Sequence, residues 1–134
     1  MPVLDASVCV ALFNPKEAGH ESSRRWFHGV GKGEEPVVAP VILLAEVASA
    51  LGRGLGEQEL AREVVSLLRM KRLVELFPVT EFLSARAAEI AAEQRIRGCD
   101  SIYVALARQL DMELVTLDGH QLERGAAVVM TRKP

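Results

Sequence analysis

Short apolar runs alternate with longer amphipathic stretches along this chain, and that alternation predicts strands and helices in turn. Val3-Leu4 reads as a first strand ending at Asp5. After a turn at Asp5-Ala6-Ser7, the apolar run to Phe13 reads as one short helix, stopped by Asn14-Pro15. Between Glu17 and Val30 an apolar stripe that includes Ala18, Trp26, Phe27 and Val30 marks an amphipathic helix, closed by Gly29, Gly31 and Gly33. Glu34-Glu35-Pro36 leads to a second strand at Val37-Val38-Ala39. Pro40 suits the first position of the next helix.

That helix, Val41 to Leu51, is apolar nearly all round, so it is expected to be buried on most sides. Gly52 to Gly56 reads as a loop. Leu60, Val64, Leu67 and Leu68 give Glu57 to Met70 a helical spacing, and Leu73 to Phe77 reads as a strand ending at Pro78. Thr80 is a suitable cap for a long Ala-rich helix from Glu81 to Arg97, with Gly98 as its stop. Arg95 and Arg97 then fall in its last turn, just before Asp100, where they could face the same edge. Asp100 opens a further apolar helix through Ile102 to Ala107. A strand follows at Glu113 to Leu117, then a helical turn to Arg124 and a last strand at Ala126 to Met130. The expected fold is α/β: a single domain over residues 1–134, with a mostly parallel central sheet of about five strands and helices on both faces.

Composition narrows the classes. At 49% hydrophobic residues the chain can build a core and is not globally disordered. No run of about 18 apolar residues occurs, so no membrane span is expected. The start Met1-Pro2-Val3-Leu4-Asp5 does not resemble a signal peptide. Cys9 and Cys99 form neither a disulfide framework nor a zinc pattern, and are expected as buried small hydrophobes in a reducing cytoplasm. A net charge of −2 gives no bulk attraction to phosphate, but leaves room for a protein that meets phosphate through metal ions.

Four acids stand out by position. Asp5 follows a strand, Glu46 is the one charge of a buried helix, Asp100 opens a helix, and Asp118 follows a strand. Strand ends in a parallel sheet are where sites form. Each Asp also has an ordinary explanation, as a helix cap or a turn residue. Glu46 has less of one, because its neighbours at three and four residues are Ile42, Leu43, Ser49 and Ala50; the ordinary account is a salt bridge to one Arg. Carboxylates without His or Cys suit hard cations, Mg²⁺ or Mn²⁺. His20 and His28 are expected on a helix surface, and His120 is near Asp118 with at most a minor role. Ser7 and Thr116 lie two residues from Asp5 and Asp118, close enough to orient a carboxylate or simply to close a local turn.

These residues in this order resemble the PIN domain, and more narrowly the VapC-type toxins of toxin–antitoxin pairs. The resemblance rests on Val3-Leu4-Asp5-Ala6-Ser7, on Glu46 after Pro40, on Asp100-Ser101-Ile102-Tyr103-Val104-Ala105-Leu106-Ala107, and on Leu114 to Asp118. Ser101 stands where many relatives carry Ala. The resemblance implies a cytoplasmic Mg²⁺- or Mn²⁺-dependent endoribonuclease that cleaves RNA phosphodiesters by metal-activated water. It implies a homodimer and a VapB-like antitoxin partner. It carries Asp5, Glu46, Asp100 and Asp118 over as catalytic and metal-holding residues, with Ser7 and Thr116 supporting them. Two rivals stand beside it. One is a receiver-like phosphoacceptor domain, which would need a nucleophilic Asp after the middle strand, where Pro78-Val79-Thr80 stands instead. The other is a non-catalytic binding module whose acids are caps and ion pairs.

Overall fold

The computed structural model describes residues 2–33, 36–70 and 73–134. The expected lead-in Glu34-Glu35 lies outside them. In chain order the elements are β1 Pro2–Leu4, α1 Ala6–Phe13, α2 His20–Gly31, β2 Val37–Pro40, α3 Leu43–Ala48, α4 Gln58–Arg69, β3 Val74–Phe77, α5 Glu81–Gln94, α6 Gly98–Leu110, β4 Glu113–Val115, α7 Gly119–Gly125 and β5 Thr131–Arg132. The five strands form one sheet in the order β3-β2-β1-β4-β5, every pair parallel. A sheet covered on both faces calls for strands that are apolar throughout, and all residues of β1 and β2 are buried.

This order removes the receiver-like reading, because that fold runs 2-1-3-4-5. The switch point here lies between β1 and β4, whose register pairs Leu4 with Val115. The residues that follow each strand therefore emerge side by side at one edge. The Asp5 amide confirms the alignment by donating to the Val115 carbonyl at 3.0 Å. Helix α6 is the most buried helix, with Tyr103, Val104, Ala105, Leu106 and Ala107 in the core. No described helix is long and apolar enough to cross a membrane.

Several boundaries differ from the sequence reading. The last strand is Thr131–Arg132, not Ala126 to Met130. Val128 and Val129 pack on the core from a turn whose amides bond back to the Gly125 carbonyl, so their hydrophobicity serves a turn. Pro40 closes β2 and does not open a helix. It needs no amide there, because the next rung is donated by Val41 to Phe77 at 2.8 Å. The expected loop at Gly52 is still helical: a π-turn over Ser49–Gly54 extends α3 and buries Leu51. Helix α2 starts later than expected and runs through Gly29 to Gly31.

Helix α5 stops at Gln94, not Arg97. Arg95 turns left-handed at φ 56°, and the amides of Arg95 and Ile96 both return to the Ala91 carbonyl. Burial of Ile96 drives this stop in place of a glycine. Arg97 and Gly98 consequently begin α6 instead of ending α5. Cys9 is buried as expected, but Cys99 is exposed. His20 is half-buried, its Nδ1 lying 2.7 Å from the Ala11 carbonyl.

Candidate functional site

Asp5 is the best-anchored acid of the chain. It caps α1, and its carboxylate accepts from the Ser7 amide at 3.2 Å, the Ser7 hydroxyl, the Thr116 hydroxyl at 2.9 Å and the Gln121 amide nitrogen at 2.9 Å. These donors come from α1, the end of β4 and α7, so three elements fix one carboxylate. A buried carboxylate needs such partners, since each missing bond to a charged group costs about 1.5–3 kcal/mol. The hydroxyls also join the two strand ends. Ser7 Oγ lies 3.3 Å from Thr116 Oγ1 and accepts from the Leu117 amide at 3.0 Å. Thr116 Oγ1 accepts from the Asp118 amide at 3.0 Å.

Asp118 caps α7 through the Gln121 amide at 3.0 Å. Asp100 lies in the first turn of α6, and its side chain is only 11% exposed. Arg97 reaches both: its Nε donates to Asp100 Oδ2 at 2.9 Å, and its Nη2 stands 3.8 Å from Asp118 Oδ2. Glu46, on α3, accepts a 3.3 Å bond from the Tyr103 hydroxyl at Oε2, while its buried Oε1 has no partner among the described residues. Among the described residues Glu46 forms no salt bridge to an Arg, so the ordinary explanation for a half-buried glutamate is not met there. All four acids, with Ser7, Arg97, Glu17 and Leu117, line one open cleft at the carboxyl edge of the sheet.

The electrostatics follow from this crowding. Burial first, then the negative charges of Asp5 and Asp100, pushes the Glu46 carboxyl up from its ordinary range. Burial also raises Asp100; the Arg97 bond opposes it, and the charge of Asp5 adds to it. Burial and the charge of Glu46 hold the Tyr103 phenol far above its usual value, so it remains a donor. Cys9, pushed up to about 12 by burial, is chemically inert.

Among the described residues the cleft is lined by carboxylate oxygens and the Ser7 hydroxyl, with no His or Cys, which is the donor set of a hard divalent cation. The unpartnered Oε1 of Glu46 fits the same conclusion. Among the described residues no three His, Cys, Asp or Glu side chains converge as a ready-made metal cage. The acids thus share a cleft without closing on one point, and the Arg97 guanidinium stands between two of them.

The structure brings together every residue singled out in the sequence: Asp5, Ser7, Glu46, Asp100, Thr116 and Asp118. His120 is exposed and His28 lies in a separate groove. Sequence reasoning missed Gln121, Tyr103 and Glu17. Gln121 carried a faint signal, since it falls three residues after a helix-capping Asp and so on the inner side of α7's first turn. Tyr103 read as core, and its bond to Glu46 spans 57 positions. A separate apolar groove, lined by Leu12, Phe13, Phe27 and Leu68, holds none of the four acids.

A family profile of the PIN domain matches residues 3–127. Among solved structures, VapC20 of Mycobacterium tuberculosis, a sarcin-ricin loop cleaving toxin, is similar with a TM-score of 0.83 at 21% identity, covering 100% of both chains. A chain of VapBC2 from Rickettsia felis, bound to a DNA fragment from its promoter, gives 0.75 at 15% identity, covering 98% of this chain and 97% of that one. A chain of DNA-bound VapBC from Salmonella typhimurium gives 0.71 at 16%, covering 98% and 96%. At these identities the likeness is one of fold. No curated protein sequence matches the chain.

Proposed function

The chain belongs to the PIN domain family, and from that premise we propose that it is a metal-dependent endoribonuclease, the toxin of a VapBC-type toxin–antitoxin pair. One observation carries the reading. Four acids, at the caps of α1 and α7 and within α3 and α6, line a single cleft, and the buried Oε1 of Glu46 has no hydrogen-bond partner among the described residues. Capping explains Asp5 and Asp118 but not Glu46, which caps nothing and lies half-buried inside α3. The binding-module reading therefore leaves the half-buried Glu46 carboxylate unexplained.

In this proposal Asp5, Glu46 and Asp100 hold Mg²⁺ or Mn²⁺, and Asp118 completes the site. When bound, such an ion supplies positive charge that lowers the pKa of a water and steadies a phosphodiester under in-line attack. The chain's own residues do the rest. Ser7, Thr116 and Gln121 fix the Asp5 carboxylate in direction. Tyr103 keeps Glu46 pointing into the cleft with a proton it does not release. The proposal includes a cytoplasmic location, a homodimer and a VapB-like antitoxin. The VapBC complexes among the similar folds support the antitoxin, and so does the apolar groove between α1, α2 and α4.

The test is cleavage of single-stranded RNA by the purified chain. Activity is expected with Mg²⁺ or Mn²⁺, and none with chelator or with Asp100→Asn. An Asp100→Asn protein that cleaves like wild type would overturn the assignment.

A further inference from the structure

Arg97 sits where its charge works against the proposed metal. Its guanidinium is the nearest cation to Asp100 and reaches toward Asp118, two of the acids assigned to the ion. The pair is asymmetric. The Arg97 side chain is 80% exposed, while that of Asp100 is 11% exposed. An exposed guanidinium leaves such a contact at little cost, whereas a carboxylate as buried as Asp100, with no ring of neutral donors like that around Asp5, is left costly without a cation. The base of the arm, by contrast, is anchored: Ile96 is buried, and the Arg95 carbonyl accepts from Arg124 Nη1 at 2.6 Å. Arg97 is thus an exposed charged fork on a fixed mount, at the rim of the acid cleft.

We propose that Arg97 is an exchangeable counter-cation: it neutralises Asp100 and Asp118 until a divalent ion takes them, and it then turns its fork to the RNA phosphate beside the ion. The guanidinium geometry matches two phosphate oxygens, which a Lys ammonium does not. One arm thereby prevents the carboxylates from repelling each other and also supplies phosphate recognition in a chain with no net positive charge. This inference rests on the ribonuclease reading above, and it makes a prediction of opposite sign to a plain structural brace. A brace, once removed, would loosen Asp100 and weaken ion binding. A competitor, once removed, strengthens it.

The experiment is a Mn²⁺ titration by calorimetry on wild type, Arg97→Gln and Arg97→Lys, followed by KM and kcat on single-stranded RNA. Arg97→Gln is expected to bind Mn²⁺ about threefold tighter or more, the range released by one exposed ion pair. Its KM is expected to rise about tenfold with a smaller change in kcat, as for loss of a charge-assisted phosphate contact. Arg97→Lys keeps near-wild-type Mn²⁺ affinity and shares the raised KM, because it retains charge without the fork. Equal or weaker Mn²⁺ binding by Arg97→Gln would overturn this proposal and leave the ribonuclease reading standing. An unchanged KM would overturn the phosphate role. No Mn²⁺ binding by any of the three proteins would overturn the ribonuclease reading, and this proposal with it.

Discussion

Thr116→Val isolates the polar joint that holds the two central strand ends together. Valine has nearly the shape of threonine, so packing is kept and only the hydroxyl is lost. Thr116 is fully buried, and its hydroxyl does two jobs: it donates to Asp5 at 2.9 Å and accepts from the Asp118 amide at 3.0 Å. Losing a bond to a buried charged group costs about 1.5–3 kcal/mol, and an amide left without its partner costs about 1–3 kcal/mol. Asp118 is half-exposed, so water relieves much of the second cost, and the low end applies there. The expected loss is about 3 kcal/mol. For a chain of this size that lowers Tm by about 10 °C, interpolating between smaller and larger domains. The assay is thermal melting in metal-free buffer, with Thr116→Ser as control. Serine keeps the hydroxyl and gives up one methyl, which costs about 1 kcal/mol. A valine variant melting within about 3 °C of wild type, or a serine variant melting below the valine one, would refute the reasoning.

Glu46 predicts a pH effect whose sign follows from its surroundings. Burial and the charges of Asp5 and Asp100 raise its folded-state pKa above the unfolded value, and burial does the same for Asp100. The folded chain therefore binds these protons more tightly, so the penalty is absent below about pH 4 and grows as pH climbs through the raised values. Without divalent ions, Glu46→Gln should flatten that part of the Tm–pH curve and melt no lower than wild type at pH 7; a lower melt with an unchanged slope contradicts this. Arg95→Gly relieves a left-handed residue at φ 56°. Left-handed strain of about 1–2 kcal/mol, less a glycine entropy cost of about 0.5–1 kcal/mol, predicts a gain near 0.5 kcal/mol, read as a small rise in the denaturant midpoint. The Arg124 contact survives because it is to the backbone.

What the sequence revealed follows from which forces are local. Strand and helix order was legible because apolar runs and capping residues are local signals, as at Thr80, whose hydroxyl accepts from the Leu83 amide as expected. The placement of the acids was legible because parallel strands align their ends, so residues that follow β1 and β4 must meet. What failed were competitions decided by packing. Burial of Ile96 ended α5 at an arginine, three residues before the glycine that looked like its stop. Val128 and Val129 looked like a strand because a turn packed on the core needs the same hydrophobicity. Tyr103 and Gln121 were invisible as site residues because their partners lie 57 and 116 positions away. Arg97 was assigned to the wrong helix, but its place just before Asp100, at the edge that carries the acids, was legible.

The most direct test of the central claim is a calorimetric Mn²⁺ titration of wild type beside Asp100→Asn. The account predicts saturable binding by wild type and its loss in the variant, because the cleft's carboxylates act together on one kind of ion. Equal binding by both would remove Asp100 from the site. Binding by neither would show that these acids serve as caps and ion pairs on a PIN fold without the proposed metal chemistry.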